Sequence, residues 1–192
     1  MNNFRRLWKD HYSVMKNSGT SSNASNGNEV WTRLNFGVIK INCNVAVGPH
    51  FSSIAVVARD WRRKLVFALS KKVETIIPLQ AGAKAIIWAA HLATSHGLSK
   101  VIFESDHKAF VDVVNMLGRC LWMIKSAVLI FVELISRLTW WKLFWVRRNA
   151  NKAPHLFAKW SIQNMSWGPL NFCAGPQSFV TICNEDLSGS LV

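Results

Sequence analysis

Along residues 38–160 the spacing of apolar and polar positions switches between two periods. Val38-Ile39-Lys40-Ile41-Asn42-Cys43 carries the alternation of a half-buried strand, and Gly48-Pro49 is its stop signal. Ser53 to Ala58 is rich in β-formers and runs into Arg59-Asp60-Trp61-Arg62, a charged, turn-like patch. Leu65-Val66-Phe67-Ala68-Leu69 predicts a third strand. Short turns between three consecutive strands predict an antiparallel meander. Pro78 then opens a long helix, with Ala, Ile, Leu and Trp recurring from Ala81 to Ala93 and Gly97 at the C-terminal cap position.

Lys100 to Ser105 predicts a fourth strand, and its place after a helix favours parallel crossover pairing. Asp106 to Leu117 predicts a helix. Ile124, Val128, Phe131, Ile135 and Leu138 recur at steps of three or four, which marks the apolar face of another. Trp141 to Val146 predicts a fifth strand, and Asn151 is placed to cap a last helix that tolerates Pro154 in its first turn. The predicted order is β-β-β-α-β-α-α-β-α.

The remaining segments lack either period. Residues 17–28, NSGTSSNASNGN, have linker composition, and residues 1–16 read as a loose basic tail. Residues 168–192 show no clear period and end in the acidic stretch NEDLSGSLV. The expected organisation is therefore a tail and linker over 1–29, one domain over 30–165 and a disordered C-terminal tail over 166–192. At 192 residues and 50% hydrophobic, the chain can build one sizeable core. Residues 121–146 are very apolar, but Lys125, Glu133, Arg137 and Lys142 interrupt them. A membrane span needs about 20 apolar residues, so this stretch reads as a buried helix followed by a strand.

Charge narrows the range of partners. The formal net charge is +13, and residues 30–159 hold 19 Lys and Arg against 6 acids, so the surplus lies in the predicted domain. Such a domain points to a polyanion, nucleic acid above all; the other reading is a solvated basic surface. The four cysteines (Cys43, Cys120, Cys173 and Cys183) make no C-x-x-C pair and have no zinc spacing with His. MNNFRRLWKDHYSV has no apolar signal region. The expectation is an intracellular protein (nucleus or cytoplasm) with reduced thiols, no disulfide-linked partner and no membrane partner, Cys43 being a core residue.

Five short motifs, in order, carry a resemblance. Trp31 with Gly37-Val38-Ile39-Lys40-Ile41-Asn42-Cys43-Asn44-Val45-Ala46 opens the series. Val56-Val57-Ala58-Arg59-Asp60, Ala81-Gly82-Ala83-Lys84-Ala85, Phe103-Glu104-Ser105-Asp106 and Val146-Arg147-Arg148-Asn149-Ala150-Asn151 follow. Over about residues 31–160 the chain resembles the type-1 ribonuclease H domain, in the form found in plant non-LTR retroelement reverse transcriptases and their single-domain relatives. The resemblance implies an α/β fold: a five-stranded mixed sheet, three strands antiparallel and two parallel, flanked by helices. It also implies metal-assisted cleavage of the RNA strand of an RNA–DNA hybrid. Converging carboxylates would hold two Mg²⁺ ions roughly 3.5–4 Å apart, and Mg²⁺ prefers hard oxygen ligands.

Carried over residue by residue, the four metal-binding acids of that family fall at Asn44, Gly82, Asp106 and His155. Only Asp106 is an acid, although some members carry His at the fourth position. Asn44 keeps an oxygen without charge, Gly82 offers nothing, and His155 is a poor ligand for Mg²⁺. At about 4 Å and an effective dielectric near 20, one unit charge pair is worth roughly 4 kcal/mol. Losing two or three carboxylates therefore implies Mg²⁺ bound weakly or not at all. Glu104 shares a strand face with Asp106 and is the nearby acid that could serve as a substitute ligand. Asp106 also suits a plain helix N-cap.

Arg147, Arg148 and Lys108 are the candidate nucleic-acid contacts, with a solvated strand end as the alternative for the arginines. Trp140, Trp141 and Trp145 read as core and strand packing rather than base-stacking residues. His91 and His96 are off the i, i+4 ligand spacing and read as surface residues. The preferred reading is a ribonuclease H-like module that binds nucleic acid, an RNA–DNA hybrid or RNA, with its nuclease activity lost. An active hybrid-specific ribonuclease using Asp106, and a decayed retroelement fragment without activity, are the alternatives.

Overall fold

The computed structural model describes residues 34–115, 122–171, 175–179 and 181. The expected tail and linker, Trp31, the end of the helix predicted to reach Leu117, Cys120, Cys173, Cys183 and residues 182–192 lie outside the described residues.

The predicted meander is present as β1 (Ile39–Val47), β2 (Ser52–Arg59) and β3 (Leu65–Val73), each antiparallel to the next. The chain continues through α1 (Pro78–Ser95), β4 (Lys100–Ser105), α2 (Lys108–Val114), α3 (Lys125–Ile135), β5 (Trp140–Trp145), α4 (Lys152–Gln163) and β6 (Gly168–Pro169). β4 pairs parallel with β1 and β5 parallel with β4, so the sheet order is β5-β4-β1-β2-β3-β6. Among the described residues no helix is long and apolar enough to cross a membrane.

Among the described residues the sheet has six strands where five were expected. Gly168 and Pro169 pair with Ser70 and Leu69 of β3, and the Leu170 N–H donates to the Ala68 carbonyl at 2.9 Å. Further on, Phe179 is fully buried with its ring centroid 5.6 Å from that of Phe157 in α4. Residues 168–170 and Phe179 thus join the fold where a disordered tail was expected. A two-residue Gly-Pro strand offers no alternation to read, and its apolar anchor comes ten residues later.

β1 sorts its side chains by the strand period. Ile41 and Cys43 join the core beneath α1, α2 and α3. Lys40, Asn42 and Asn44 lie on the opposite face, on the side where α4 packs, and all three are buried. α1 meets the sheet through small residues such as Ala81, Gly82, Ala85 and Ala89, which allow close approach. It ends where Gly97 adopts φ +64°, with the Leu98 N–H closing on the Ala93 carbonyl at 3.0 Å. The five residues read from spacing are all buried, Val128, Phe131 and Ile135 in α3 and Ile124 and Leu138 flanking it. Phe131 meets Phe103 and Phe110 edge-on at 5.7 and 5.6 Å. Each such aromatic pair adds about 1 kcal/mol beyond its burial.

Two expected caps are different in the structure. α2 begins at Lys108, and its cap is His107, whose Nδ1 accepts from the Phe110 N–H at 3.2 Å. Asp106 is left at the end of β4 with its carboxylate turned elsewhere. Asn151 precedes α4 but makes no side-chain cap. Its amide accepts from Asn42 Nδ2 at 3.3 Å and donates to the Cys43 carbonyl at 2.9 Å, tying the start of α4 to β1.

Candidate functional site

The parallel register of β1 and β4 brings two of the carried-over positions together. Cys43 stands opposite Ser105, and the next residues, Asn44 and Asp106, meet across the strand ends. Asn44 Nδ2 donates to Asp106 Oδ2 at 3.4 Å, while Asn44 Oδ1 accepts from the Val45 N–H at 2.6 Å. The buried Asn44 therefore presents a donor, not an oxygen ligand, toward Asp106. The 3₁₀ turn Arg148–Asn151 after β5 adds Arg148, whose Nε lies 3.6 Å from the same Asp106 Oδ2. Arg148 is 68% exposed and Asp106 20%, so this pair is worth no more than about 1 kcal/mol.

α1 contributes Gly82 from across the cleft. A Cβ on Gly82 would stand 1.8 Å from His107 Cδ2 and 2.8 Å from its Nε2. The imidazole therefore fills the space a side chain at 82 would need. Both ring nitrogens are engaged: Nε2 lies 2.9 Å from the Leu79 carbonyl, and Nδ1 accepts from Phe110. Those partners define the tautomer, with the proton on Nε2. The resulting cleft, about 330 Å³, is lined by Asn44, Gly82, Asp106, His107, Lys108 and Arg148 among others.

Of the remaining candidates, Lys108 lines this cleft and the others do not. His155, in the first turn of α4, is half-buried and its Nδ1 has no hydrogen-bond partner. Burial, reinforced by the Arg148 guanidinium and opposed by Asp106, holds its pKa below the ordinary 6.5. Lys108 is held by Asp112 at 2.8 Å, one turn along α2, and lies over the Trp145 ring at 5.8 Å. Arg147 is exposed and does not line the cleft. Glu104 is committed elsewhere: Lys40 Nζ lies 2.7 Å from one of its oxygens, and Asn42 Nδ2 donates to the other at 2.8 Å. Trp141 and Trp145 pack against the core. Burial pushes the Cys43 thiol up to about 12, the Ser105 hydrogen bond opposing and Asp106 adding to the rise.

These donors do not fit a pair of Mg²⁺ ions. Among the described residues the cleft offers one carboxylate, already facing a guanidinium, and an amide that shows it a donor, while the fourth carried-over position, His155, is a nitrogen ligand that does not line it. Among the described residues no three His, Cys, Asp or Glu side chains converge as a metal group. Sequence reasoning named Asn44, Gly82, Asp106, Arg148 and Lys108, which do meet, but it missed His107. The signal lay in two facts taken together, a missing side chain at 82 and a ring at 107. Only their contact links them.

A family profile described as Reverse transcriptase-like matches residues 42–161. The chain belongs to the reverse transcriptase-like family. No curated protein matches it in sequence. Among solved structures it is similar to ribonuclease H1 of the halophilic archaeon Halobacterium salinarum, with 14% identity over 66% of this chain and 98% of that one, at a TM-score of 0.61. The N-terminal RNase H domain of a Mycobacterium tuberculosis protein aligns at 12% identity over 66% of this chain and 94% of that one, TM-score 0.61. LC11-RNase H1, solved in complex with an RNA/DNA hybrid, aligns at 13% identity over 67% and 97%, TM-score 0.59. These likenesses establish the ribonuclease H-like fold expected for this reverse transcriptase-like domain.

Proposed function

We propose that this domain binds nucleic acid, an RNA–DNA hybrid or RNA, and has lost ribonuclease activity through replacement of three of the four metal-binding acids. The observation that carries this reading is the state of the acid positions. Asp106 alone keeps a carboxylate, and that carboxylate faces Asn44 and Arg148, while His107 fills the space of the second acid. Mg²⁺ would bind weakly or not at all. Glu104 does not favour a rescue, because its two oxygens are taken by Lys40 and Asn42.

Binding is supported by the charge surplus of residues 30–159 and by the hybrid-bound state of LC11-RNase H1. Lys and Arg that neutralise backbone phosphates release counterions, so affinity depends steeply on salt. Arg148 at the cleft, with Arg147 and Lys108 beside it, is the proposed contact set. The compartment we assign is intracellular, nucleus or cytoplasm. The test is gel retention of a labelled RNA–DNA hybrid by folded protein across a salt series. Retention that weakens steadily from about 50 to 200 mM salt is expected. Absence of retention at every salt concentration, by protein that still melts cooperatively, would contradict the binding reading.

A further inference from the structure

In a two-metal nuclease the clustered carboxylates repel a phosphodiester until cations neutralise them. This cleft is balanced without an added cation. Its nearby carboxylates are Asp106 and Asp112, and its nearby cations are Arg148 and Lys108. The Arg148 guanidinium meets Asp106 from the side, through Nε at 3.6 Å, and is 68% exposed. A guanidinium carries five N–H donors in a fork that matches phosphate geometry. The Asn44 amide adds N–H donors facing Asp106 at 3.4 Å. The floor of the cleft is filled, not hollow: His107 occupies the side-chain space of position 82 and is held from both ring nitrogens.

We infer that the cleft takes a phosphodiester group directly on Arg148, without a divalent cation, and that Asp106 is a competing anion rather than a ligand. This rests on the nucleic-acid reading and specifies how the cleft serves it. Phosphate and Asp106 compete for one guanidinium, so the retained carboxylate weakens binding where the family's acids would support it. Magnesium has no stabilising role here and acts only as salt does.

The test is fluorescence anisotropy of a labelled RNA–DNA hybrid with the intact chain, in EDTA and in Mg²⁺ at matched ionic strength. Affinity in Mg²⁺ is expected to be no higher than in EDTA, since Mg²⁺ acts only as a competing counterion, and this arm needs no variant. Asp106→Asn should tighten binding about two- to fivefold, the range of an exposed ion pair. Arg148→Ala should weaken it and make the log–log salt slope shallower by about one. Affinity that requires Mg²⁺, or that falls in Asp106→Asn, overturns this inference while leaving hybrid binding intact. No binding under any condition overturns the nucleic-acid reading itself, and the inference with it.

Discussion

Gly82 and His107 form the residue pair on which the proposed loss of a metal centre turns. An alanine at an exposed helical position is worth up to about 1 kcal/mol more than glycine. Here its Cβ would stand 1.8 Å from a ring held by Leu79 and Phe110. Gly82→Ala is therefore expected to destabilise the domain by about 1–3 kcal/mol, the range of overpacking. In a His107→Ala background the same change should be neutral or stabilising by up to about 1 kcal/mol. Urea melts of the four proteins check this reversal of sign; an additive cycle would show that ring and glycine are independent. The acid positions, Asn44, Gly82, Asp106 and His155, were legible through the family resemblance, carried over residue by residue. Their orientation was not. Asn44 was expected to offer an oxygen and Asp106 to cap a helix. A strand-end hydrogen bond turned the first round, and His107 took the second role.

Among the elements, the β1–β4 pair and the start of α4 share a buried polar ladder. It runs from Lys40 to Glu104, from Asn42 to Glu104 and Asn151, and from Asn151 to the Cys43 carbonyl. Lys40 and Glu104 expose only 3% and 13% of their side chains. Breaking a buried pair on one side strands the other charge and costs about 3 kcal/mol or more. Lys40→Met should lower the urea midpoint accordingly with an unchanged slope. A shift under about 0.5 kcal/mol, the level of an ordinary surface change, would mean that the ladder contributes little. Helical spacing made the long helices readable, because one buried face leaves its period in the sequence, while β2, buried along its whole length, was legible only from its run of β-formers. β6 left none. Asn151 sits where a cap is usual, yet its amide is claimed by β1, a tertiary contact between residues 108 and 109 positions apart.

For the whole molecule, charge and fold point the same way while the catalytic set does not. The basic surplus of +13 sits on a ribonuclease H-like architecture, and under the proposed reading that charge meets a polyanion. Under the proposed reading, hydrolysis in such a fold depends on carboxylates converging from four elements, and three of the matching positions here hold an amide, a glycine and an imidazole. The most direct measurement is incubation of the purified protein with an RNA–DNA hybrid labelled on its RNA strand, in Mg²⁺ and then in Mn²⁺, beside Asp106→Ala. Uncut RNA is expected in every lane, with the hybrid still retained at low salt. RNA cleavage by the unmodified chain that disappears in Asp106→Ala would contradict it and make Asp106 the ligand of a working metal centre.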